Sequence, residues 1–269
     1  MGSFGYPFLF IIYIKAISFE ITYLEYIMSQ RPVEIPEVVV GADVETKSTA
    51  PNAYMLSFAC VAFDIRTLTQ VANIYRTIDP NDENMVEPYF HTDESTLKWW
   101  RGDVDPQYAP DPAAYKEAFS GTTKLPDALK DIVDFLEPIR KKQKHVVSSR
   151  GPEFDIPIIR NALRQCDLYE GIFRRFSNND SDRTAERVLA ALGMEIEYVN
   201  EKHHWCNLHE WVEHMPAFDA GRTAYRTARM YHLLYLIRTY GSDTAYKANE
   251  EMRRGSYDAK KFLANLGDV

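Results

Sequence analysis

Three groups of side chains are spaced as metal-dependent chemistry would need them. Asp43 and Glu45 stand two apart at the end of the run VVVGADVET. Alternate side chains of an extended strand point to one face, so the two carboxylates project together. Side by side they repel, and a hard, oxygen-seeking cation such as Mg²⁺ or Mn²⁺ between them relieves that repulsion; no histidine or thiol accompanies the pair to favour a softer ion. The pattern D-x-E also arises by chance where a strand runs into a polar turn, so alone it decides nothing. Asp155, in SSRGPEFDIPIIRNAL, opens an amphipathic helix, where free N–H groups and the helix dipole favour a carboxylate. Capping is sufficient reason for Asp155 by itself, and Glu153 competes for the place. The third group, HMPAFDAGRTAYRTARMYHLL, sets His214 five residues before Asp219 at the head of a long helix. Either residue alone would be structural. Together they put an imidazole at the rim beside an inward carboxylate, where a general base in contact with solvent belongs.

The elements between these groups must bring them together. VVVGADVET reads as a central strand buried on both faces, with its chemistry at the carboxyl end. Residues 54–64 and 70–78 follow as two more strands in an antiparallel meander with it. Residues 79–124 form a long decorated connection with one helical phrase, TDESTLKWWR. LPDALKDIVDFLEPIRKK (125–142) has helical spacing and KHVVSSR (144–150) returns to strand, which completes a crossover. A helix from Asp155, a short strand over 173–176, helices over 182–192 and 219–240, and a charged helical end complete the order. The fold class is therefore α/β: a mixed sheet of three antiparallel leading strands, then parallel strands, flanked by helices. Such sheets place ligands at the carboxyl ends of their strands, where Asp43, Glu45 and Asp155 fall.

Composition agrees with one large core. The 269 residues are 45% apolar and 26% charged, a globular mix. Residues 31–269 read as a single domain and residues 1–30 as an N-terminal extension outside it. The formal charge of −8 excludes coating of nucleic acid by bulk electrostatics, although metal ions or a local basic groove can still recruit phosphate. Three scattered cysteines cannot build a disulfide framework and point to a reducing compartment, hence the cytoplasm, or the host cytoplasm for a phage-encoded chain. The apolar run 4–19 contains Lys15 and falls short of the ~18–20 residues of a spanning helix. With no basic leader before it, residues 1–27 read as an upstream extension ahead of Met28 rather than an anchor or secretion signal.

Taken in order, Asp43-x-Glu45, Asp155 and His214-x4-Asp219 resemble the DEDDh 3'→5' exonuclease family of the ribonuclease H-like superfamily. The resemblance runs from about Val38 to about Leu234, and the phrases ESTLKWW and SDRTAERVLA are similar to DexA-type phage exonucleases and related bacterial 3'-5' exoribonucleases. The stretch 101–124 is longer than that pattern. The resemblance implies a ribonuclease H-like sheet and two divalent ions, Mg²⁺ or Mn²⁺. It implies that Asp43 bridges both ions, that Glu45 and Asp219 complete the site of the ion holding the attacking water, and that Asp155 supports the other. His214 would take the proton from that water, releasing nucleoside 5'-monophosphates from the 3' end of single-stranded DNA. RNA is the close alternative, since a few side chains decide whether a 2'-hydroxyl is accepted. A nucleic-acid-binding module without catalysis is the alternative of another class; the complete set of carboxylates speaks against it. Glycoside hydrolysis by paired carboxylates leaves His214 and the Asp219 helix unexplained.

Around these positions, Trp99 and Trp100 lie in a helical phrase, so one can face the core and the other stack on a base. Arg150, Arg183 and Arg222 flank the acids and are candidates for phosphate, against the commoner role of arginines solvated or paired with carboxylates. Asp182 beside Arg183 suggests an orienting contact. His203, His204, Cys206 and His209 in HHWCNLHEWVEH match no standard zinc spacing and read as surface side chains before His214. No membrane partner is expected, and the oligomeric state is open.

Overall fold

The computed structural model describes residues 34–173, 179–194 and 214–267. Strands β1 (Val38–Thr46), β2 (Met55–Asp64) and β3 (Gln70–Thr77) form the antiparallel meander. Strands β4 (His145–Ser149) and β5 (Asn179–Ser181) add in parallel beyond β1, so the order is β3-β2-β1-β4-β5. Helices α1 (Glu94–Trp100), α2 (Pro112–Ala118), α3 (Leu125–Lys142) and α4 (Asp155–Gln165) are followed by α5 (Asp182–Ala191), α6 (Pro216–Tyr240), α7 (Ser242–Arg253) and α8 (Ala259–Asn265). The mixed sheet with flanking helices is the class the residue pattern implies.

Central strand β1 separates two layers. Its residues Val38, Val40, Ala42 and Val44 join Phe58, Cys60 and Ala62 of β2 in one apolar cluster with α3 and α4. Helix α3 supplies Leu125, Ala128, Leu129, Ile132, Leu136 and Ile139, a stripe at three- and four-residue spacing that covers one sheet face. The alternate β1 residues, Val39, Gly41, Asp43 and Glu45, therefore look to the other face. Helix α6 crosses that face. A Cβ built on Gly41 would lie 2.1 Å from the Ala220 carbonyl oxygen and 2.7 Å from the Ala224 nitrogen, so the helix backbone rests directly on the strand. Ala220, Ala224 and Ala228, each fully buried, repeat every fourth position and keep one helix face flat enough for that approach. Farther along, Thr227 and Ser148 share a hydrogen bond of 2.7 Å, and Tyr225 meets Phe63 edge-on at 5.8 Å. The distal half of α6 enters a second apolar cluster, where Met230, Leu233 and Leu236 pack with α5, α7 and α8.

Several expectations need correction. The strand expected over 173–176 lies outside the described residues except for Phe173, which ends a 3-10 turn, Gly171–Phe173, and a strand that was not expected is Asn179–Ser181. Side-chain bonding holds β5: Tyr231 donates to Asp180 at 2.8 Å and Ser181 caps α5, so polar partners carry a strand that apolar patterning cannot mark. The connection 79–124 holds a second helix, α2, announced by Asp111 as its N-cap and Pro112 in its first turn. Helix α6 starts at Pro216, a proline in the first turn, three residues before Asp219. Cys60 is buried and Cys166 half-buried, both free thiols. No helix among the described residues is long and apolar enough to cross a membrane. The extension 1–27, Cys206 and the histidines at 203, 204 and 209 lie outside the described residues.

Gly41→Ala should displace α6, because the obstructing atoms at 2.1 and 2.7 Å are backbone and cannot swing aside. A loss of about 1–3 kcal/mol in denaturant-induced unfolding is expected. Wild-type stability in that variant would show that helix and strand are not in contact there.

Candidate active site

At the carboxyl edge of the sheet, β1 ends with Asp43 half-buried and Glu45 only 8% exposed. The ladder with β2 is irregular between Glu45 and Thr46, which re-aims the chain immediately after the second acid. Asp155 enters from α4, one short loop after β4, and is buried. Its backbone N–H bonds to the Gly151 carbonyl at 3.2 Å, which closes the turn from β4 into α4. Asp219 comes from the first turn of α6, one residue before the Ala220 carbonyl that rests on Gly41.

The five-residue spacing of His214 and Asp219 has a local cause. Asp219 reaches back over the helix start, and its Oδ2 accepts the His214 backbone N–H at 2.9 Å. That bond holds His214 at φ 65°, a left-handed conformation uncommon outside glycine. The imidazole Nδ1 then lies 3.9 Å from Glu45 Oε1 with the side chain 39% exposed. Ligand atoms of Glu45, His214 and Asp219 all fall within 4.8 Å of one another.

Electrostatics bind the remaining acids into the same group. Burial pushes the Asp43 carboxyl well above its usual range, and Asp155, Asp219 and Glu45 push it further, while Arg222 pulls it down. Burial raises Glu45 likewise, reinforced by Asp219 and Asp155. Asp155 is pushed up to about 7 by burial, against the opposing pull of the nearby Ser149 hydroxyl and backbone N–H groups. Four mutually repelling carboxylates around one edge, all offering oxygen, fit hard divalent cations, whose charge would reverse this field. Asp43, Glu45, Asp155 and Asp219 are the side chains that could hold them.

The flanking candidates divide. Trp100 is 2% exposed and donates its indole N–H to the Thr46 carbonyl at 2.8 Å, so it cannot stack on a base. Trp99 is half-buried and lines the site. Arg222 is buried with Nη2 3.0 Å from Asp219 Oδ1, so this arginine serves a carboxylate of the cluster rather than a phosphate. Arg150 keeps 45% of its side chain exposed and touches Asp182 at 3.5 Å. Arg183 is exposed at the start of α5. Asp182 is fully buried, with Arg226 at 3.3 Å and Thr223 at 3.5 Å; it braces α6 against the β4 edge, where an orienting contact was expected.

A cleft of about 370 Å³ beside the acids is lined by Glu45, Thr46, Thr49, Ser95, Thr96, Trp99, Phe154 and His214 among others. Reasoning from the residues missed Thr46, Thr49, Ser95, Thr96 and Phe154. Phe154 was signalled, as an apolar side chain in the polar run just before Asp155; the hydroxyl side chains carried no signal.

A family model described as 3'-5' exoribonuclease Rv2179c-like domain matches residues 39–219. No curated protein matches the sequence significantly. Among solved structures, a zinc-bound E. coli exonuclease I complex with single-stranded DNA is 14% identical, with a TM-score of 0.44 over 82% of this chain and 45% of that one. Exonuclease I from Methylocaldum szegediense is 10% identical, with a TM-score of 0.46 over 84% and 49%. The nuclease domain of 3'hExo, described as a DEDDh family member bound to rAMP, is 10% identical, with a TM-score of 0.45 over 77% and 94%. The chain spans about half the length of the exonuclease I chains it matches, 45% and 49%.

The raised carboxyls set a pH dependence. Folded Asp155 ionises at about 7 and unfolded Asp at about 4, so between these values the native state binds more protons. Its contribution to stability is present below about pH 4 and is lost as pH rises through about 7. In chelator, Asp155→Asn should flatten this fall relative to wild type, and Mn²⁺ should oppose it by taking the ionised carboxylates. Unfolding titrations from pH 5 to 8, with and without chelator, test both points; identical pH profiles for the two proteins would refute the burial of this carboxyl.

Proposed function

The chain belongs to the Rv2179c-like 3'-5' exoribonuclease domain family, and on that membership and the site geometry we propose that it is a 3'-5' exonuclease acting on single-stranded nucleic acid. The observation that carries the reading is the convergence of Asp43, Glu45, Asp155 and Asp219 with His214 at one sheet edge. Divalent cations, when bound, lower the pKa of the attacking water and neutralise charge developing on the phosphate and the leaving 3'-oxygen. Asp43 would be shared between two such ions, Glu45 and Asp219 would hold the one that activates the water, and Asp155 would support the other; the closeness of Glu45, Asp219 and His214 supports this division. His214, held at the rim by Asp219, takes the proton from the water. In-line attack then breaks the bond to the penultimate 3'-oxygen and frees a nucleoside 5'-monophosphate.

The adjoining cleft takes the terminal nucleotide, with Trp99 against its base, a contact worth roughly 1–3 kcal/mol. Arg150 and Arg183 lie outside the acidic group and are the side chains to meet backbone phosphates. The family's description favours RNA as substrate. Single-stranded DNA is the second reading, favoured by the phage-like phrases ESTLKWW and SDRTAERVLA.

Matched DNA and RNA oligonucleotides labelled at the 5' end should shorten stepwise from the 3' end with Mg²⁺ or Mn²⁺ and remain intact with chelator. Faster digestion of the RNA strand supports the first reading and faster digestion of DNA the second; binding without mononucleotide release would sink both. Asp43→Ala, Glu45→Ala, Asp155→Ala and Asp219→Ala should each lower the rate about a hundredfold or more in a folded chain. A variant with wild-type turnover would remove its residue from the site.

A further inference from the structure

His214 is placed by three contacts of unequal strength. Its backbone N–H is fixed on Asp219 at 2.9 Å. Its Nδ1 stands 3.9 Å from Glu45 Oε1, beyond hydrogen-bond distance. Its ring meets Trp99 edge-on, with centroids 4.9 Å apart and planes at 86°. Side-chain torsions of a half-exposed imidazole are soft, and the Trp99 ring is a wall that limits them on one side.

Trp99 is itself held from two sides. One is the core, where it packs on Trp100 at 4.8 Å, and Trp100 is bonded to the Thr46 carbonyl next to Glu45. The other is an exposed loop: the Trp99 indole N–H donates to the Tyr108 carbonyl at 2.5 Å. That loop is tied down by the Tyr108 N–H on the Asp105 carbonyl at 2.9 Å and by Arg101 on Asp103 at 3.0 Å. It lies in the connection between α1 and α2.

We propose that Trp99 is a positioning residue for His214, and that the 103–108 loop, through the Tyr108 carbonyl, fixes Trp99 in that role. The proposal rests on the exonuclease reading and adds to it a specific means of aiming the base. None of residues 103–108 lines the cleft, and the loop meets the lining at Trp99, so its effect on turnover passes through that residue. A tryptophan that only stacked on the terminal base would chiefly govern substrate affinity. One that aims His214 governs the chemical step, where a displacement of about 1 Å can cost a hundredfold.

The full chain supplies the test in two readouts. In ¹H–¹³C spectra the His214 ring protons, assigned with His214→Gln, should carry a ring-current shift that Trp99→Leu removes. Replacing residues 104–108 by five glycines leaves Trp99 in place and should reduce that shift. Kinetics on 5'-labelled oligonucleotides should give a kcat about tenfold or more lower in both variants, and in the glycine variant, which keeps the Trp99 ring, a KM changed less than about threefold. Trp99→Phe, which keeps a ring but not the N–H, should fall between. An unchanged resonance in Trp99→Leu overturns the contact whether or not the chain is active. Raised KM with wild-type kcat in that variant, or wild-type kcat and shift in the glycine variant, overturns the positioning role or the loop's part in it. A wild-type chain that carries the shift but degrades no oligonucleotide overturns the exonuclease reading, and the role in turnover with it.

Discussion

The acidic edge depends on how closely helix α6 lies on strand β1. At Gly41 the helix backbone occupies the space a side chain would need, so strand and helix meet without intervening atoms. Two residues on, Asp43 projects from the same strand face, and one residue before Ala220 stands Asp219. Close contact at a single glycine thereby sets how near two like charges from remote parts of the chain are forced. The energy to hold them there comes from buried apolar surface on both sides of the sheet, since the carboxylates themselves oppose the arrangement.

That opposition is chemically useful. Buried acids raised by one another are poor anions in isolation and strong ligands once positive charge arrives, which couples metal binding to their ionisation. Arg222 moderates the repulsion from within, at 3.0 Å from Asp219. Asp182, at the next strand end, balances a second arginine, Arg226, on the same helix. The edge is thus layered: four acids in front, arginines of α6 beside and behind them, and a further buried acid closing the set.

Much of this was legible in the residues because it is local. D-x-E on a strand and H-x4-D at a helix start each follow from one turn or two residues of backbone geometry, and the reach of Asp219 to the His214 N–H accounts for the second spacing. What stayed hidden needed tertiary partners. Trp99 and Trp100 are adjacent and alike in type, and only packing of α1 against Leu56 and Thr46 decides that Trp100 is enclosed. Arg222 looked like a phosphate ligand until its one-turn neighbour Asp219 proved to be its partner. Strand β5 is three polar residues held by side-chain bonds, which no hydrophobic period can announce.

Helix α6 runs 25 residues, about 37 Å, from the acids into the cluster it shares with α5, α7 and α8. The family match stops at residue 219, in the first turn of that helix. A fragment cut at this border would retain every letter of the acidic signature, yet its last carboxylate would hang from a severed stalk. The recognisable motif and the anchorage that makes it work are therefore encoded in different stretches of the polypeptide.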